Sequence, residues 1–241
     1  TPIAPQGAGT ESDPYLISNL AELRWFGEVF EYNSRVPTFF VFTSDIDASD
    51  TISWNGGEGW HPMGLRNCNI DGGGHKITGL YINSNLIHVA FIRRFSVGIY
   101  GTEGTIKNLS IEAEIHYTPA SLYSYLGGFV GWTSSGPVII ENCSVTADIT
   151  YNGDLWDYRR CGGFVHSHNA PGKIKNCYSN VDLTVTGGIS SGYRAGFVGF
   201  AQYDSVDCII ENCYAVTHTD NADFKGFCGR KDPNTQIINC Y

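Results

Sequence analysis

IKNCYSN, residues 174–180, has close relatives elsewhere in the chain: IENCSVT at 140–146, IENCYAV at 210–216 and IINCY at 237–241. A second phrase travels with it. It reads GGFVG at 127–131, GGFVH at 162–166, AGFVG at 195–199 and KGFCG at 225–229. Each copy is followed by a short polar loop and then by the Asn phrase. The recurring asparagines are Asn108, Asn142, Asn176, Asn212 and Asn239, spaced 34, 34, 36 and 27 residues apart. Asn108 belongs to IKNLSI, where Leu109 stands in the Cys position, and a more degenerate turn lies in NIDGGGHKITGLYI, 69–82.

A period of this length indicates a solenoid, a propeller or an array. The units hold strand runs such as VIIENCSVTADIT, much Gly and no 3.6-residue apolar pattern, which excludes helical repeats. A propeller blade needs four strands and about 40 to 45 residues. About three short strands per unit fit one rung of a right-handed parallel β-helix better. Stacking then places equivalent residues about 4.8 Å apart. The Asn amides are expected to form an inward ladder, and Leu109, Cys143, Cys177, Cys213 and Cys240 an inward apolar stack. One Cys per rung supplies neither a C-x-x-C pair nor a Cys/His cluster, so a metal site is not expected. Bridges between adjacent ladder cysteines would be strained, which leaves Cys161, Cys208 and Cys228 as the candidates for any disulfide.

Composition agrees with an all-β chain. Charged residues are 16% of the 241, well below the roughly 25% of an average protein. Gly numbers 29 and aromatics make up 13%, enough for a core with tight turns. The net charge is −9 and no basic tract occurs, which argues against nucleic acid as a partner. No run of 18 apolar residues exists, so no membrane insertion is expected. The start, TPIAPQGAGT, has neither the charged nor the apolar region of a signal peptide.

SNLAELRWFGEVFEY, 18–32, is the one helical pattern. Ser18 or Asn19 can cap it, and Leu20, Leu23, Phe26, Val29 and Phe30 share a face. It reads as a helix covering the first rung, followed by a strand over TFFVFTSDIDA, 38–48. The chain is therefore expected to be one β-helix domain over 1–241, with the cap and first strand in 1–60 and rungs from 61 onward. IINCY stops within a rung. The expectation is that the native chain continues, or that another chain or domain covers this edge.

From GTESDPYLISNLAELRWF, 10–27, through DIDASD, WHPMG and IDGGGHKITGLYI to the GGFVG…IENCSV units, the sequence resembles bacterial surface proteins that carry GLUG repeats. Phe in place of the usual Leu, His166 in place of Gly, and Lys225 and Cys228 in the last unit mark a divergent member. The resemblance implies a secreted or cell-surface β-helix. The repeat occurs in adhesin-like proteins and in non-catalytic regions of some immunoglobulin A metallopeptidases. It carries no catalytic residues and no cofactor.

Motifs of chemistry are weak. H-E-x-x-H is missing. GISSG, 188–192, lacks the strand-to-helix elbow of a serine nucleophile. HSH, 166–168, reads as polar loop residues. DIDASD, 45–50, lacks the glycine and closing Glu of a calcium loop. DGGGHK, 71–76, reads as a tight turn. The glycosylation patterns at Asn108 and Asn142 would be closed if those side chains point inward.

The long loops before each Gly-Phe phrase should lie side by side on one face. They gather Tyr123, Tyr125, Trp156, Tyr158 and Tyr193 with Asp154, Asp157, Arg159 and Arg160. Rings beside charged groups suit sugars, since rings cover C–H faces while charges take directional hydrogen bonds. The competing expectation is that these rings close the loops over the solenoid wall. Function is read as an extracellular surface module binding a glycan or host surface ligand. The alternative is a polysaccharide-active enzyme using Asp154 with Asp157, Asp204 with Asp207, or Tyr158 with Arg159 or Arg160.

Overall fold

The computed structural model describes residues 1–29, 36–98, 103–120, 123–153, 160–187, 193–201, 208–220 and 226–241. One rung shows the architecture. Val138–Glu141 lies in a first sheet, Ser144–Tyr151 in a second, Arg160–Gly162 in a third and Val165–Asn169 in a fourth. The chain then returns to the first sheet at Gly172–Lys175, which pairs in parallel with Val138–Glu141. Repetition builds parallel sheets of eight, six, four and six strands, a β-solenoid. The rung holds four strands rather than about three. The Gly-Phe phrase is not a single strand: Gly163 and Phe164 turn the chain between the third and fourth sheets. A Cβ on Gly163 would sit 1.9 Å from the Gly196 carbonyl oxygen, so only glycine lets successive corners nest.

Identical residues stack through the interior. Ile70, Ile106, Ile140, Ile174, Ile210 and Ile237 form one column of the first sheet. Phe129, Phe164, Phe197 and Phe227 form another, with ring centroids 4.9, 4.8 and 4.7 Å apart and nearly parallel planes. The expected Cys stack is present. The amides of Cys143, Cys177 and Cys213 each approach the next sulfur at 3.4 Å, ending at Cys240. All eight cysteines are free, including Cys161, Cys208 and Cys228, which lie in the third, first and fourth sheets respectively. Burial pushes the Cys161 and Cys208 thiols up to about 12, so they act as apolar filler.

The Asn ladder exists, but it faces outward. Each Nδ2 donates to the Oδ1 of the previous rung, from Asn142 to Asn108 at 3.1 Å through Asn239 to Asn212 at 3.2 Å. Asn142, Asn176, Asn212 and Asn239 are exposed and Asn108 is half-buried, which corrects the expectation of inward side chains. The reason is backbone geometry. All five have φ between +50° and +57°, the left-handed conformation that turns the chain from the first sheet into the second. Asn tolerates this conformation better than other side chains do. The Cys beside it then points inward.

The cap spans Leu20–Glu28, shorter at both ends than the sequence pattern. Asn19 Oδ1 accepts from the Ala21 and Glu22 amides, while Glu22 accepts from the Ser18 amide. Leu23 and Phe26 are buried, and Phe26 meets Phe40 edge-on at 4.8 Å. Val29 ends the helix and stays 46% exposed, outside the apolar face; Phe30 lies outside the described residues. The strand expected over 38–48 is two strands, Thr38–Phe42 and Ile46–Asp47, which belong to the first and second sheets.

Candidate functional site

The three loops begin and end in register. At their start, Asn152 Nδ2 donates to Thr118 Oγ1 at 3.4 Å and Thr186 Oγ1 donates to Asn152 Oδ1 at 3.2 Å. At their end, His88, Tyr125, Arg160 and Tyr193 occupy one column of the third sheet. Tyr125 and Tyr193 therefore share one column of the third sheet with Arg160. Tyr123, two residues before Tyr125, is 53% exposed. Asp154, Trp156, Asp157, Tyr158 and Arg159 lie outside the described residues, as do Asp204, Asp207 and the GISSG turn.

A second column faces the first. Arg94, Trp132, Ser167, Phe200 and Arg230 are register partners in the fourth sheet. The Gly-Phe corner folds the two sheets toward each other, so the columns interlock. His88 stacks on Tyr125 at 4.8 Å, on Trp132 at 5.7 Å and on His166 at 5.2 Å. Tyr193 stacks on Phe200 at 5.1 Å. The Arg94 guanidinium lies 4.6 Å from the Trp132 centroid. That of Arg160 lies 4.0 Å from Phe200 and 5.5 Å from Tyr125. Arg230 covers Tyr193 at 5.0 Å and donates to its hydroxyl. Cation–ring pairs of this kind each stabilise by about 0.5 to 2 kcal/mol.

His166 anchors the floor. It is 1% exposed, in a position filled by Gly131 and Gly199 in the adjoining rungs. Its Nε2 meets His88 Nδ1 at 3.2 Å and its Nδ1 meets Ser167 Oγ at 2.9 Å. Arg160 also donates to Ser167 Oγ, at 3.0 Å. His166 and His168 are thus buried strand residues, not loop residues. Burial holds both imidazoles below their ordinary range, His168 at about 4. His88 is held at about 4 by burial first, then by Arg93, Arg94 and Arg160. The corner therefore contains neutral imidazoles, aromatic faces and guanidinium groups.

The ion pairs of Arg24, His61, His75, Lys76, Lys107, His116 and Lys173 lie away from this corner. Carboxylates gather instead on the outer face of the second sheet. Glu114, Asp148 and Asp182 are register neighbours there, and Glu112, Glu114 and Asp148 line an open cleft of about 460 Å³ with Tyr81. Glu114 is tied to His116 at 2.6 Å. Asp45 and Asp47 of the DIDASD stretch accept from the Lys76 and Ser49 amides, so they close turns. No group of three or more metal-ligating side chains occurs among the described residues.

Residues 123–150 match the GLUG motif, spanning the Tyr125 strand, the Gly-Phe corner and the Asn-Cys turn. The chain carries the GLUG motif. The matched stretch contains one copy of each recurring phrase and supplies one inward corner and one left-handed turn. Over 97% of its length the chain is 28% identical to halomucin of Haloquadratum walsbyi, of which it spans 3%. It is 31% identical, over 58% of its length, to a protein of Evansella cellulosilytica provisionally described as a Gly-rich membrane protein, of which it spans 15%. A crystal structure from Bacteroides ovatus, provisionally assigned as an immunoglobulin A1 protease, shares the fold of this GLUG chain. The TM-score is 0.61 at 19% identity, over 98% of this chain and 76% of that one.

Sequence reasoning missed His88, Arg94, Trp132, Phe200 and Arg230, and placed His166 in a loop. A signal was present. Counting three residues beyond each corner Phe reaches Arg94, Trp132, Ser167, Phe200 and Arg230.

Proposed function

We propose that this chain is an extracellular surface module that binds a glycan at the corner between the third and fourth sheets without cleaving it. The observation that carries this reading is the pair of facing columns, His88–Tyr125–Arg160–Tyr193 and Arg94–Trp132–Ser167–Phe200–Arg230. Stacked rings give flat apolar faces for sugar C–H groups, and guanidinium groups at their edges give directional donors. The adjoining loop holds Asp154, Trp156, Asp157, Tyr158 and Arg159, and its two ends are fixed by the same register. An extracellular place is supported by the names of the relatives, halomucin and a protein provisionally described as a membrane protein. A solenoid of stacked rungs also suits a surface-displayed array, since each rung needs only its neighbours.

The enzyme alternative has one foothold, the cleft lined by Glu112, Glu114 and Asp148. Two carboxylates about 5 to 9.5 Å apart suit glycoside hydrolysis. These side chains project in parallel from successive rungs, beside a single ring, Tyr81, so a sugar has little to stack on. The deciding experiment is a glycan array followed by titration with the intact chain, Tyr193→Ala and Trp156→Ala, each checked for folding. Binding by the intact chain and its loss in both variants supports the corner. Equal binding by both variants moves the site elsewhere. Accumulation of reducing ends or unsaturated product over hours replaces the binding module with the enzyme.

A further inference from the structure

Resting on the glycan reading, we infer that the ligand is an acidic sugar, whose carboxylate or sulfate is held between Arg160 and Arg230 beside Tyr193 and Phe200. Three observations lead there. The guanidinium carbons of Arg160 and Arg230 both lie within 5.5 Å of the Phe200 ring centroid, at 4.0 and 5.5 Å. Arg160 is half-buried, and among the described residues neither cation has a carboxylate partner. The two cations belong to different sheets and arrive from residues 70 positions apart in sequence, so register, not local chain chemistry, brings them to one ring.

Two like charges brought to one ring, with no carboxylate beside them among the described residues, are unfavourable. Burial and Arg230 both disfavour the charged form of Arg160, while the tyrosines on either side favour it. Stacking on Phe200 and the Ser167 hydrogen bond fix the fork in place, with its remaining donors uncommitted. An anion placed within reach of both guanidinium groups offsets their repulsion and accepts charge-assisted hydrogen bonds from them. Tyr193, held by Phe200 and Arg230, offers the partly exposed edge of its ring to the sugar attached to that anion.

The location is selective within the molecule. The chain carries a net charge of −9, and the second sheet displays Glu112, Glu114, Asp148 and Asp182 on its outer face. An acidic polymer is repelled from that face. At the corner, the described charged residues are the cations Arg93, Arg94, Arg160 and Arg230. The charge distribution thus orients an acidic chain toward the rings.

The test titrates the intact chain with three matched oligosaccharides, one neutral, one carboxylated and one sulfated, and with polyglutamate as a non-sugar polyanion. Arg160→Gln and the exposed Arg230→Gln are measured in parallel, each with a melting curve. An acidic oligosaccharide should bind at least about tenfold tighter than its neutral counterpart, and each folded variant should lose about tenfold on the acidic ligand alone. Raising salt should weaken the acidic ligand selectively. The carboxylated and sulfated arms identify which anion the pair takes. Equal affinity for neutral and acidic sugars, or unchanged acidic binding in Arg230→Gln and folded Arg160→Gln, overturns the anion subsite while leaving glycan binding intact. Arginine-dependent binding of polyglutamate with no binding of any oligosaccharide overturns the glycan reading and leaves an anion site. Binding of nothing overturns both.

Discussion

Replacing Asn176 separates two roles that its position combines. The residue has φ of +52°, donates to Asn142 at 3.1 Å and accepts from Asn212 at 3.3 Å. An L-residue without a compensating polar side chain in this conformation costs about 1 to 2 kcal/mol. The two ladder hydrogen bonds are exposed, so each contributes near the low end of the usual range, about 0.5 kcal/mol. Asn176→Ala loses both features and should destabilise by about 2 to 3 kcal/mol. Asn176→Gly keeps the turn, loses the ladder and adds some unfolded-state entropy, for about 1.5 kcal/mol. Glycine should therefore be the milder change by about 1 kcal/mol, or about 2 to 4 °C in melting temperature for a domain of this size. Urea unfolding and thermal melts followed by circular dichroism measure the difference. A glycine variant as unstable as the alanine variant would refute the turn argument. An alanine variant within about 0.3 kcal/mol of the parent would refute both roles.

Phe164 is fully buried between Phe129 and Phe197, so Phe164→Ala should destabilise by about 3 to 5 kcal/mol and Phe164→Leu by much less; chemical denaturation reads both. Stability should fall with acid through His168, whose pKa is lowered from 6.5 to about 4 by burial. Since the unfolded state binds the proton first, its contribution is full above pH 6.5 and is lost between there and about 4, on the order of 3 kcal/mol; melts over that window, compared with His168→Gln, test this. An acidic ligand should bind more tightly as pH falls from 7 toward 5 while the chain stays folded. His88 faces Arg93 and Arg94 from one strand, Arg160 and Tyr125 from the third sheet, and His166 from the fourth. A bound anion offsets the cationic field on His88, raises its pKa and draws in a proton, so calorimetry should record proton uptake. Flat affinity across that range would remove His88 from the account.

The repeat was legible because stacking demands that one position hold one residue type. Asn176, Cys177 and Phe164 are read from the sequence by their recurrence alone. The inward direction of the Cys column followed from its apolar character, but that of the Asn column did not, because recurrence is the same whether a column faces inward or outward. Only the left-handed backbone at the Asn turn decides that the amide points out and the thiol in. The same limit hid the corner. Tyr125 and Tyr193 stood out as aromatic residues in long loops, and Arg160 beside them. Trp132, Phe200 and Arg230 occupy a column that changes residue type at every rung, so no recurrence drew attention to it. His166 was misplaced because a run of polar residues after a glycine pair is normally read as a solvated loop, whereas here it is a strand buried at a concave corner.

The most direct test of the site is a side-chain NMR titration of the folded chain with an acidic oligosaccharide. The account predicts that the perturbed signals will be the aromatic resonances of Tyr125, Trp132, Tyr193 and Phe200 and the guanidinium resonance of Arg160. Perturbations centred instead on Tyr81 and Ala147 at the second-sheet cleft would contradict it.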